Sequence, residues 1–115
     1  MPIRLFHNPR CSKSREALAL LRERGVEPDV VEYLKQPPTA AELDALLKQL
    51  DLEPCQLMRK GEAVYKGLGL DDPALTRGAL IAAMVENPIL IERPIATDGT
   101  RAVVGRPPEK VLELL

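Results

Sequence analysis

Tryptophan is absent, and Phe6, Tyr33 and Tyr65 are the only aromatic residues among 115. Stacking on bases or sugars therefore has little to draw on, and a core must be built from Leu, Ile, Val and Ala. An excess of one charge is lacking too: 16 Lys and Arg stand against 17 Asp and Glu, a net charge of -1. That leaves no long-range attraction for a polyanion, so no nucleic-acid partner is expected. No run approaches the roughly 18 apolar residues of a membrane span. Residues 1–10 lack the basic and apolar blocks of a signal peptide, so we expect no membrane association and a cytoplasmic location. The single histidine, His7, and the two cysteines, Cys11 and Cys55, are too few for a zinc cluster. No metal site is expected, and a structural disulfide is disfavoured in a reducing compartment.

What is present suits one soluble α/β domain, with 45% hydrophobic and 29% charged residues. Nothing demands more than a monomer. Ile3 to His7 ends at the turn pair Asn8-Pro9 and reads as a buried first strand. From Ser12 or Lys13 to about Arg24, Ala17, Leu18, Leu20 and Leu21 share a broad helical face, and Gly25 follows where a C-terminal cap is wanted. Asp29 to Tyr33 is the next strand, stopped by Pro37-Pro38. This βαβ order calls for parallel strands with a right-handed crossover.

Thr39 and Glu42 form a capping box ahead of Leu43, Leu46, Leu47 and Leu50. Glu53 to Met58 reads as a turn or short helix, Arg59 to Asp72 as irregular, and Thr76 as the cap of another helix ending before Pro88. Ile89 to Ile91 fits a short central strand. Ile95 to Thr97 and Thr100 to Val104 flank Asp98-Gly99, a favoured hairpin turn, and Pro107 or Pro108 opens a last helix. A βαβ unit followed by ββα is a thioredoxin-like mixed sheet, with a helical insert at about 39–88.

The first loop and the start of the first helix then lie at the carboxyl edge of the sheet, and Cys11 is there. A thiol at a helix start faces unpaired amides and the positive end of the helix dipole, both of which favour the thiolate. A buried, merely packing cysteine would be poorly matched to Arg10, Ser12, Lys13 and Ser14. Cys55, beside leucines, is read as packing. His7, four residues before Cys11, either stabilises a thiolate as an imidazolium or only caps the strand. Position 14 is Ser14, so the C-x-x-C of a thioredoxin is missing and a single-thiol cycle needs an external thiol. Cys11 and Arg15 are closer than the cysteine and arginine of a tyrosine-phosphatase loop. Arg59, Arg93 and Arg106 each adjoin Pro, Gly or an element end, and converging guanidinium groups would suit an oxyanion. Taken singly, each also fits a surface ion pair.

Five separated blocks resemble the glutathione- and glutaredoxin-coupled arsenate reductases of the ArsC type. They are the run from His7 to Arg15, Tyr33-Leu34 with Pro37-Pro38, Leu57-Met58-Arg59-Lys60, the run from Asn87 to Ile95, and Gly105-Arg106-Pro107. The resemblance covers essentially the whole chain in order. It implies that Cys11 attacks arsenate, that Arg59, Arg93 and Arg106 bind the oxyanion, and that His7 and Ser14 help to activate the thiolate. It further implies glutathione as co-substrate, glutaredoxin as protein partner, no tightly bound cofactor, and a cis Arg93-Pro94 bond. Two other readings stay beside it. One is a related single-cysteine thiol reductase. The other is a regulator of the Spx type that binds RNA polymerase, a group that usually carries C-x-x-C where this chain has Ser14.

Overall fold

The computed structural model describes residues 2–115. It divides into two compact units: the segment up to Gln36 together with Arg93–Leu115, and Pro37–Glu92. The second coincides broadly with the insert expected at about 39–88.

The first unit is built on a four-stranded mixed sheet in the order β2-β1-β3-β4. Strand β1 (Arg4–His7) leads into helix α1 (Ser12–Glu23), and β2 (Asp29–Glu32) returns parallel to β1. Strands β3 (Ile95–Thr97) and β4 (Ala102–Val104) form the antiparallel half, with β3 beside β1. This is a thioredoxin-like sheet. Leu5 pairs with Val30 and Ala96, and Ala96 pairs with Val103. Because side chains alternate along a strand, these residues share one face. Leu5 and Ala96 are buried there with Ala17 and Leu21 of α1 and with Val111 and Leu114 near the C-terminus. Burying a leucine contributes about 1.5–3 kcal/mol, so α1 is held by its apolar stripe rather than by intrinsic propensity.

Helix α1 stops where its sequence says it should. Gly25 adopts φ +77°, a left-handed conformation open to glycine. The Gly25 and Val26 amides donate back to the carbonyls of Arg22 and Leu21 at 3.0 Å each, a Schellman-type closure.

In the second unit, α2 (Ala40–Leu50) has the expected box: the Glu42 amide donates to Thr39 Oγ1 and the Thr39 amide to Glu42 Oε1, both at 3.1 Å. Helices α3 (Pro54–Leu57), α4 (Ala63–Gly67) and α5 (Arg77–Glu86) follow. Leu43, Leu47, Leu57, Met84 and Leu90 are fully buried.

Three expectations are corrected. Residues 89–91 are not a sheet strand: Pro88–Leu90 is a 3₁₀ turn, closed by the Leu90 amide on the Asn87 carbonyl at 2.9 Å, and Ile91 makes only an isolated bridge to Met58. Proline at its first position fixes φ for a helical turn. The hairpin turn is centred on Gly99-Thr100 rather than Asp98-Gly99, because the Asp98 amide donates to the Arg101 carbonyl at 3.0 Å and the Asp98 carboxylate accepts from the Thr100 and Arg101 amides. The last helix is a 3₁₀ segment, Pro108–Leu114. Within Arg59 to Asp72, α4 adds a single short helical stretch.

Two X-Pro bonds are cis, Arg93-Pro94 and Arg106-Pro107. Pro94 lies directly against Gly105: a Cβ there would come within 2.8 Å of Pro94 Cγ and 3.1 Å of Val111 Cγ1. Gly105→Ala should therefore destabilise the protein by about 1–3 kcal/mol through overpacking. Denaturant unfolding measures this, and an unchanged midpoint would show that the ring and Val111 give way freely.

Candidate functional site

Cys11 is the N-cap of α1, with φ -92° and ψ 123°. Asn8-Pro9 turns the chain out of β1. The Cys11 amide closes that turn on the Asn8 carbonyl at 3.0 Å, the Arg10 amide donates to Asn8 Oδ1 at 3.0 Å, and Arg15 Nη1 donates to the Pro9 carbonyl at 3.0 Å. The loop is thus fixed from both sides, and the Cys11 carbonyl starts the helix by accepting from the Arg15 amide at 3.0 Å. The Cys11 side chain stands where Ser or Asp would cap.

Sγ makes no strict cap hydrogen bond. A neutral thiol is a weak acceptor, and its thiolate is a stronger one. Partial burial pushes the Cys11 thiol up, but this is outweighed by the Ser14 amide, the Arg93 side chain, the Lys13 amide and the Arg93 charge, so the net direction is down. Arg93 answers in kind. Burial opposes its charge, yet hydrogen bonding to Cys11 and interaction with Tyr33 raise the guanidinium pKa overall.

Behind the thiol sits a buried polar network. Ser14 is fully buried and His7 only 6% exposed. Ser14 Oγ lies 2.7 Å from His7 Nδ1 and accepts from the Asn8 amide at 3.0 Å. Burial lowers the His7 pKa; Glu32 opposes this, while Arg22 and Arg15 reinforce it. Burial therefore favours the neutral ring over the imidazolium alternative, and Nδ1 shares one hydrogen bond with the Ser14 hydroxyl. The Ser14 hydroxyl is engaged by His7 and Asn8, while its backbone amide lowers the Cys11 thiol.

The three arginines are held by different partners. Arg93, two residues before β3, has its side chain within reach of Cys11. Arg106, just past β4, donates Nε to the Arg93 carbonyl at 2.9 Å. Arg59 belongs to the second unit, where Nη1 meets Glu92 Oε1 at 3.2 Å and Nε lies 3.6 Å from Glu62 Oε2. Both cysteines are free thiols, and Cys55 is exposed rather than packed, because it falls on the outer side of the short α3 while Pro54 and Leu57 are buried. Among the described residues no group of three or more His, Cys, Asp or Glu gathers to hold a metal.

Sequence reasoning passed over Tyr33 and Asn8 as site residues. Tyr33 is 1% exposed and interacts with the Arg93 guanidinium; Asn8 ties the loop to Ser14. A lone tyrosine at the end of a short strand and an asparagine before proline were the available signals.

The arrangement is chemically specific: a thiol whose ionisation is favoured at a helix start, with an adjacent cation able to accept negative charge from whatever the sulfur attacks. In a Cys55→Ser background, alkylation of Cys11 should rise with pH about a midpoint below the ordinary thiol value of about 8.5. Ser14→Ala leaves the His7 and Asn8 groups unpaired and should cost about 1–3 kcal/mol in stability, with the alkylation midpoint still depressed because the backbone amide remains. A midpoint returned to the ordinary value in a folded Ser14→Ala protein would instead assign the thiolate to the hydroxyl.

Known proteins resemble this chain along nearly its whole length. A model of the ArsC family matches residues 6–114. The chain is 54% identical to the uncharacterized protein YfgD of Escherichia coli (strain K12), over 98% of this chain and 96% of that one. It is 47% identical to an arsenate reductase of Neisseria meningitidis, over 98% and 97%. The solved structure of the arsenate reductase from Vibrio cholerae superposes with a TM-score of 0.97 at 51% identity, over 100% of this chain and 98% of that one. With relatives matched from end to end around the Cys11 loop, the chain belongs to the ArsC family.

Proposed function

We propose that the protein is an arsenate reductase in which Cys11 is the nucleophile. The observation that carries this reading is the depressed thiol at the N-cap of α1 with Arg93 beside it. Relatives named arsenate reductase, such as those of Neisseria meningitidis and Vibrio cholerae, support it.

Arsenate and a thiolate are both anions, so their encounter needs a cation in place beforehand. Arg93 supplies one at the sulfur. Cys11 attacks arsenic(V), an arsenate oxygen leaves as water, and an S–As bond forms. Glutathione is the second thiol. In the steps that follow, two thiols together give up two electrons and become a disulfide, arsenic takes the two electrons, and arsenite is released. Glutaredoxin then reduces the disulfide that involves Cys11 and returns the thiolate. With no cysteine at position 14, an external thiol completes the cycle. Dependence on glutathione places the reaction in a reducing cytoplasm.

His7 and Ser14 act in this scheme by holding the loop so that the Lys13 and Ser14 amides face Sγ. Arg59 is flanked by Glu62 and Glu92, so an anion there competes with carboxylates for the guanidinium.

The test is a coupled assay with arsenate, glutathione, glutaredoxin, glutathione reductase and NADPH. Arsenate-dependent NADPH loss is expected, with Cys11→Ser reducing it at least about a hundredfold, since serine is a far poorer nucleophile at neutral pH. Cys55→Ser should keep most of the activity. Turnover in Cys11→Ser equal to the parent would sink the mechanism. Turnover of disulfide substrates without any on arsenate would move the assignment to a single-cysteine thiol reductase.

A further inference from the structure

Residues 104–106 grip residues 95–93 one after another. Val104 pairs with Ile95 in the β3–β4 ladder. The Gly105 amide donates to the Pro94 carbonyl at 2.8 Å, and Gly105 has no side chain to push the proline ring away. At Arg106 the main chain turns off: its amide donates to the Val104 carbonyl at 2.9 Å, and Pro107, next along, has no amide proton to offer. The ladder is nevertheless extended by one more rung, because Arg106 Nε donates to the Arg93 carbonyl at 2.9 Å. A side chain has taken over the hydrogen bond that the backbone no longer makes.

The residue held by that rung is the one whose guanidinium reaches Cys11. Arg93 lies two residues before β3, at the point where the strand ladder gives out. A guanidinium at the end of a long side chain is placed no better than the Cα it hangs from, and small misplacements at a reacting centre are costly. We propose that Arg106 is a positioning residue: its Nε–H···O bond to the Arg93 carbonyl fixes the Arg93 backbone and thereby aims the Arg93 guanidinium at Cys11. Its contribution to the site passes through Arg93. This rests on Cys11 being the reactive thiol, and it departs from the role of direct oxyanion ligand that the resemblance implies for Arg106.

The test is made on the free protein, without arsenate, in a Cys55→Ser background. Thiolate ultraviolet absorbance is followed against pH for the parent, Arg106→Lys, Arg93→Gln and the double variant. Lysine keeps the charge but puts a methylene where the Nε–H donor was. Arg106→Lys is expected to raise the Cys11 midpoint by roughly half to one pH unit, a three- to tenfold loss of thiolate at a pH well below the midpoint. Arg93→Gln should raise it at least as far, and adding Arg106→Lys should then change nothing more. An Arg106→Lys midpoint equal to that of the parent overturns the proposal, and weaker competition by sulfate in that variant would make Arg106 a direct anion ligand. Additive shifts in the double variant overturn it as well, since Arg106 would then act on the thiol independently of Arg93. Because no substrate is present, absence of arsenate turnover would refute the assigned reaction and leave this readout intact.

Discussion

The junction between β1 and α1 constrains everything around it. A strand end, a two-residue turn and a helix start meet within five residues, and the side chain at the helix start is a thiol where a hydroxyl or carboxylate would ordinarily satisfy the first amides. A thiol meets that demand well only as its anion. The need of the helix for an acceptor and the need of the site for a nucleophile therefore favour the same protonation state. Asn8, Ser14 and His7 are buried so that the junction keeps its shape, and Arg93 shares the charge that results.

Burial divides the polar groups of the site by role. His7 and Ser14 are out of water, where an ion is costly and a satisfied neutral pair is not. Arg106 is exposed and spends Nε on a carbonyl. Cys11 lies between these extremes, covered enough to feel Arg93 and open enough for a reagent to reach it. In the second unit the charge of Arg59 faces two carboxylates.

What could be read from the sequence was local. The capping box at Thr39 and Glu42, the glycine closure after Arg24 and the placing of Cys11 at the head of α1 follow from short-range chemistry, and the structure has all three. The order βαβ then ββα followed from periodicity and turn residues. Failures came where two local signals competed. Ile89 to Ile91 is apolar with two β-branched isoleucines, but Pro88 fixed a helical turn there first. Asp98-Gly99 looked like the turn, but the Asp98 carboxylate bonds the next two amides and moves the centre along by one. The Arg106 contact to a carbonyl 13 residues earlier was invisible, because it depends on the path of the main chain after β4. The state of His7 depends on burial, which a sequence does not display.

The sheet joins the two ends of the chain. Leu5 of β1 lies beside Ala96 of β3, so the central strand pair cannot form until the chain has been made as far as β3. During synthesis β1 and α1 emerge with one flank of β1 unpaired, while Pro37–Glu92 is a compact unit contiguous in sequence. Closure of the sheet is then the late, long-range event in folding, with the loop entropy that attends distant pairing. Until then the nascent chain exposes a strand edge and the apolar stripe of α1, surfaces that invite misassociation. Truncation after Glu92 would leave β1 without β3, so Cys11 becomes set in its finished surroundings only once the β3 segment has been made.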